Sequence, residues 1–262
     1  MRLRAASLAL LLSASAALAD GVSIPGVPSA GGKPVVGFIR GGGGGGGPTY
    51  TPFTSPACYN GSYITNISIP GVGVGRGVIW FAVSIGFDNG TQRNFSAITL
   101  GGQAPTGEIA QNFGGGMWWY DNTAGTIPGT TATLNFTVPG NETACASSGL
   151  VSGASSPTPT IFTSGGNSGV AQPFTHLPIT VAAGGFGIAA IAIEVNSPTT
   201  VLPLVWTSAT RDAGTEQYAD PTDNSGNAIG SAHLTASATP TVACGGTTCS
   251  FLGYTTMAAS WR

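Results

Sequence analysis

The sequence predicts an all-β fold, an antiparallel β-sandwich of jelly-roll-like type whose two halves are pseudo-duplicated. Three observations carry that expectation. The 262 residues include 42 Gly and 18 Pro, so turn formers punctuate the chain every few residues. Only 7% of residues are charged and the sole lysine is Lys33, which leaves nothing to build the Glu/Lys/Arg faces of long helices. The apolar residues, 42% of the chain, fall in short β-rich runs, and that fraction also excludes a wholly disordered chain. A net charge of -2 with 8 basic residues supplies no cationic face, so a nucleic-acid partner is not expected.

Arg2 and Arg4 precede the apolar run Ala5–Leu12, and Ala17-Leu18-Ala19 stands just before Asp20, the pattern of a cleaved signal peptide over 1–19. The apolar stretch is nearer a dozen residues than the ~20 that span a bilayer. No later run spans either, so no transmembrane segment is expected after signal removal. The expected location is secreted or at the cell surface, with the periplasm as its bacterial variant. Residues 20–57 read as a flexible Gly/Pro-rich arm, with Ile24-Pro25-Gly26-Val27-Pro28, the glycines Gly41–Gly47, then Pro48 and Pro52. No Lys-Ser/Thr follows the glycines, which excludes a phosphate loop.

The sandwich is assigned to 58–262. Ser62–Ile69 alternates, and Val78–Ile85 is apolar on both faces, as in a central strand. Asp88-Asn89-Gly90 reads as a hairpin turn. Ala97–Leu100, Met117–Tyr120 and Thr131–Val138 follow as strands. The second half offers Leu177–Val181, Ile188–Ile193, Leu202–Thr207, Ala232–Ala238 and Phe251–Trp261. Thr210–Tyr218 is the one stretch expected to form a helical turn. The strands at 78–87, 96–99 and 145–151 have counterparts at 187–196, 203–206 and 254–260, offsets of about 107–109 that motivate the duplication. A transmembrane barrel is rejected, because its strands alternate polar and apolar residues and the strongest strands here do not.

Four cysteines, Cys58, Cys145, Cys244 and Cys249, are expected to form structural disulfides in an oxidising compartment. Cys244-Gly-Gly-Thr-Thr-Cys249 reads as a hairpin bridged at its ends, which would leave Cys58 for Cys145. Four cysteines allow three connectivities, and the sequence does not choose. With no C-x-x-C pair and only His176 and His233 as histidines, no metal site is expected.

Trp118-Trp119-Tyr120 is the candidate ligand-binding cluster. Successive residues on a strand face opposite sides, so one Trp packing inward leaves the other as an outward platform for stacking sugar rings. The competing reading puts one Trp in the core and the other under a loop. Asp220–Asn227 is oxygen-rich but misses the EF-hand spacing, so an Asx-rich turn is favoured over calcium. Catalysis lacks its residue sets: Glu194 is the one acid on a strong strand and has no second acid nearby. Neither His lies near a G-x-S-x-G elbow, and His233 reads as a strand residue facing solvent or bonded locally. No catalytic residue and no cofactor are expected, and the chain is read as a non-enzyme. Six N-x-S/T sequons, at Asn60, Asn66, Asn89, Asn94, Asn135 and Asn141, are open to glycosylation only along a eukaryotic secretory route.

Several phrases, Ala97–Thr106, Thr131–Phe136, Val205–Thr210 and Met257–Trp261, give the chain a resemblance over most of 75–262. It resembles glycine/threonine-rich β-sandwich surface or virion-appendage proteins of bacteria and tailed phages. The resemblance implies a sandwich without enzymatic activity and carries over no site residue. The signal peptide favours the bacterial-surface side, since virion parts assemble in the cytoplasm. The expected function is therefore an exported, non-enzymatic structural or interaction protein of the cell surface or a surface assembly. A carbohydrate-binding module and a phage tail or virion appendage protein are the alternatives. A surface polysaccharide, an envelope protein and further copies in an oligomer are the partners to consider.

Overall fold

A computed structural model describes residues 39–40, 47–54, 58–73, 75–87, 95–112, 114–168, 172–195, 203–219, 226–245 and 251–262. They form strands and no helix: β1 (Ile39–Arg40), β2 (Thr49–Phe53), β3 (Tyr59–Ile69), β4 (Gly77–Phe87), β5 (Phe95–Leu100), β6 (Gly107–Asn112), β7 (Gly115–Asn122), β8 (Ala132–Ser152), β9 (Thr160–Ser168), β10 (Phe174–Thr175), β11 (Phe186–Val195), β12 (Leu204–Thr207), β13 (Thr210–Arg211), β14 (Gln217–Ala219), β15 (Gly226–Leu234), β16 (Thr241–Cys244) and β17 (Phe251–Trp261). Every pairing is antiparallel. The molecule is an antiparallel β-sandwich.

Two main sheets face each other. One runs β1-β2-β8-β4-β7-β6, and the other runs β13-β15-β11-β17-β9 with β14 also on β15. Their shared core holds Val78, Trp80 and Ala82 of β4, Met117 and Trp119 of β7, Ile188, Ala190 and Ala192 of β11, and Met257 of β17. The small residues here let the backbones approach closely: a Cβ on Gly115 would stand 2.6 Å from the Cβ of Ala192.

Each main sheet is covered again on its outer face. The first part of β8 carries β3 and β5 and lies over the far side of β4 and β7, burying Ile79, Phe81, Val83, Trp118 and Tyr120 against Ile69, Ile98, Leu100 and Leu134. The three-stranded sheet β10-β16-β12 does the same for β11, burying Ile191 and Ile193 against Phe174, Leu204 and Val242. Both central strands are thus sandwiched twice, which is why 188–193 is apolar at every position and 78–85 at all but Ser84, whose buried hydroxyl donates to the Ile193 carbonyl.

The pairing scheme recurs along the chain. Val78 lies opposite Val151, and Gly187 and Ser260 (187 − 78 and 260 − 151, both 109) lie opposite each other in the second half. Thr99 opposite Thr133 is matched, 108 positions on, by Thr207 opposite Thr241.

Four expectations change. Thr210–Tyr218 forms no helical turn: β13, a turn closed by Thr215 N–H donating to the Asp212 carbonyl, and β14 take its place, with Gly214 at φ +87°. Leu177–Val181 makes one isolated bridge, Ile179 to Ala238, and Val181 N–H donates to Ser237 Oγ, rather than forming a strand. Strand β15 begins at Gly226 and ends at Leu234, earlier than the run Ala232–Ala238 suggests. Thr49–Phe53, read as arm, pairs with β8 and buries Tyr50 completely, so the sandwich starts before residue 58. The segment 1–19 expected to be a signal peptide, Gly41–Gly46 and the hairpin turn expected at Asp88-Asn89-Gly90 lie outside the described residues.

Candidate functional site

The aromatic cluster sits on β7, between two apolar layers. Trp119 points into the core shared by the main sheets and Trp118 and Tyr120 point into the outer core, as strand alternation requires. Glycines make room for the rings. A Cβ on Gly107 of β6 would come within 2.2 Å of the Trp119 ring, and one on Gly116 within 2.4 Å of the Trp118 ring. Trp118 Nε1 donates to Glu108 Oε2 at 3.1 Å and packs 5.8 Å from Phe81, while burial pushes the Tyr120 phenol above its ordinary range. Relative exposures of 1%, 4% and 1% for Trp118, Trp119 and Tyr120 leave no outward platform. The expected alternation holds, but with both faces of β7 covered each direction is inward.

The structure assembles instead a polar cluster at one lateral margin of the sandwich. Asp212, on the β13–β14 turn, is buried at 2% exposure. Its Oδ2 accepts from Tyr50 Oη of β2 at 2.9 Å and from Ser231 Oγ of β15 at 3.1 Å. Its Oδ1 lies 2.6 Å from His233 Nδ1. Ser147 Oγ of β8 donates to Ser231 Oγ at 3.2 Å, and Thr215 Oγ1 lies 3.0 Å from the same hydroxyl. Phe186 stacks on the His233 ring at 5.3 Å and Tyr50 packs on Phe186 at 4.8 Å. Arg211 pairs with Glu216 across the turn that presents Asp212. Burial, reinforced by the Asp212 carboxylate, raises the Tyr50 phenol well above its usual pKa.

A serine, a histidine and an aspartate meet here, yet the connectivity differs from that of a nucleophile and its base. Ser231 donates to the carboxylate rather than to His233, so Asp212 is the hub and takes both partners. One carboxylate thus takes hydrogen bonds from β2 of one main sheet and from β15 of the other. His233 is therefore neither solvent-facing nor locally bonded. It is 5% exposed and its partner lies 21 residues away. The Ser231-x-His233 spacing places both side chains on one face of β15 and was the available signal. Nothing in the sequence pointed to Asp212 or Tyr50 as their partners.

Cys58 and Cys145 form a disulfide, and Cys244 is disulfide-bonded too; Cys249 lies outside the described residues. Glu194 is buried at 8% exposure on β11, opposite Asn227. Most of the Asp220–Asn227 loop lies outside the described residues, and among the described ones no group of three or more His, Cys, Asp or Glu is placed to hold a metal ion.

On the outer faces, hydroxyls line up in ranks. Ser68, Thr133 and Thr99 stand side by side across β3, β8 and β5, and Thr175, Thr241 and Thr207 across β10, β16 and β12. Beside the second rank Leu177 and Val205 are 46% and 53% exposed. These surfaces carry hydroxyl and methyl groups where a soluble sheet ordinarily places charge. Compared with known protein families, curated proteins and solved structures, the chain finds no match.

Proposed function

We propose that the chain is an exported, non-enzymatic structural or interaction protein of the cell surface or of a surface assembly. The observation that carries this reading is the use of Asp212: the acid best surrounded by reactive side chains spends its lone pairs on Tyr50, Ser231 and His233 to hold two sheets together. Disulfides suit an oxidising compartment, and outer faces of threonine and small apolar groups suit contact with other surfaces. The sugar-stacking alternative loses its carriers, because Trp118, Trp119 and Tyr120 are all buried.

The test is location and redox state in the expressing cell. With a C-terminal epitope tag, the chain should be reached by antibody on intact cells or found in the medium, with its cysteines resistant to alkylation until reduced. A chain confined to the cytoplasmic fraction, with Cys58 and Cys145 alkylated directly, overturns the proposal.

A further inference from the structure

The two lateral margins of the sandwich are built alike but finished differently. Strand β2 lies near one end of its main sheet, with two-residue β1 beyond it, and runs antiparallel to β8, with Tyr50 opposite Val151. Strand β9 ends the other and runs antiparallel to β17, with Ile161 opposite Ala259. Val151 and Ala259 both belong to the core between the main sheets. Directly opposed residues share a face, so Tyr50 and Ile161 both point toward that core. Tyr50 is fully buried under the Asp212 cluster, whereas Ile161 is 41% exposed. On β9 the residue facing the core is left half exposed, while the core residues themselves are buried.

The outer edges differ in the same sense. Strand β1 pairs with β2, Ile39 opposite Tyr50 and Arg40 opposite Thr49. Among the described residues no strand lies on the outer edge of β9. Its sequence, Thr-Ile-Phe-Thr-Ser-Gly-Gly-Asn-Ser, has neither the charge nor the proline that natural edge strands use against pairing. The register of Thr160–Ser164 on β17 is regular and its irregularity comes only at Tyr254/Thr256, so the exposed part is a straight template.

We infer that the outer edge of β9 is a docking site for the N-terminal arm of a second copy of this chain, with Ile39–Arg40 pairing antiparallel along Thr160–Ser164. The inference rests on the reading of a surface-assembly protein and names its partner. The occupant follows from the chain itself. Ile39–Arg40 already serves as an antiparallel edge strand at the corresponding place on β2, and Val35, Val36 and Phe38 precede it in sequence. Gly41–Gly47 join the arm to the sandwich, and seven extended residues reach about 25 Å. Among the described residues two pairs, Ile39 with Tyr50 and Arg40 with Thr49, hold β1 on its own β2, so transferring it to a neighbour exchanges like for like, and Ile39 arrives beside the half-exposed Ile161. Arm and edge are different surfaces, so copies join head to tail.

The experiment uses the processed chain as recovered from the expressing cell, followed by light scattering after size exclusion across a concentration series. The unaltered chain should form oligomers that grow with concentration. Ile161→Lys, which puts a charge on the edge, and Ile39→Pro, which removes a strand donor, should each stay at monomer mass. An equimolar mixture should double to a dimer and stop there, because only one intact arm and one intact edge remain. That recovery also shows both variants to be folded. A monomer at every concentration, oligomers that survive either substitution, or a mixture that stays monomeric overturns the inference. Association of Ile39→Pro with itself does so as well, by showing that β9 edges pair directly. A monomeric chain still displayed on intact cells overturns the docking and leaves the surface reading standing.

Discussion

Residues 49–152 and 160–261 solve the same pairing problem with different locks. In the first half one unbroken strand, β8, runs from Ala132 to Ser152; the same stretch 109 positions on, Thr241–Trp261, is divided into β16 and β17. The first half bridges neighbouring strands covalently through Cys58–Cys145, and at the matching place Asn167 stands opposite Tyr254. Ile69 and Ile98 fill the first outer core where, 107 and 108 positions later, His176 and Trp206 stand. Their rings pack at 5.5 Å, and His176 Nε2 and Trp206 Nε1 are both buried without hydrogen-bond partners among the described residues. The difference teaches that backbone register tolerates a cut strand, a lost disulfide and a polar pair, provided that the central strand stays covered on both sides.

The largest way to break the comparison is to remove the lock that only the first half has at this place. Cys58→Ser with Cys145→Ser opens a bridge spanning 87 residues and should cost about 4–5 kcal/mol, read from urea unfolding of the oxidised protein. A loss below about 1 kcal/mol would mean that β3 and β8 are held by pairing alone.

Next comes pH. Burial lowers the His176 pKa to about 3, so the folded protein keeps this imidazole neutral while the unfolded chain protonates it below about 6.5. The unfolded state then binds the extra proton, and stability falls as pH drops from about 6.5 toward 3, by about 1.4 kcal/mol per unit. His176→Ile, which installs the residue that the first half carries, should remove this slope and leave the variant about 3 kcal/mol less acid-sensitive at pH 4.5. Parallel pH profiles of wild type and variant would refute it.

The smallest effect separates the margins. Tyr50→Phe deletes a donor to a buried carboxylate and should cost about 1.5–3 kcal/mol. Ile161→Thr, at a half-exposed position on β9, should change monomer stability by about 0.5 kcal/mol or less. Equal costs would show the β9 margin to be as closed as the β2 margin.

Much of this fold was legible because central strands write their burial into the chain. Val78–Ile85, apart from Ser84, and Ile188–Ile193 are apolar at successive positions, and the pairs β4–β8 and β11–β17 share registers 109 positions apart. The shortest strands were not legible: β10 and β13 span two residues each, too few for any period to emerge. The candidate site was half legible. Strand alternation put Trp118 and Trp119 on opposite faces correctly, but whether the second face meets water depends on a strand segment, the start of β8, that folds over from elsewhere in the chain.

By itself the sequence determined the class of structure, because glycine and proline density, scarce charge and short apolar runs are local properties that any conformation must respect. Tertiary structure alone decided what the polar and aromatic residues do. Asp212 becomes a hub because β2, β15 and the β13–β14 turn bring Tyr50, Ser231 and His233 within hydrogen-bonding distance across up to 162 residues of chain. Burial and partnership are set by what packs on a strand, and that information lies in other strands.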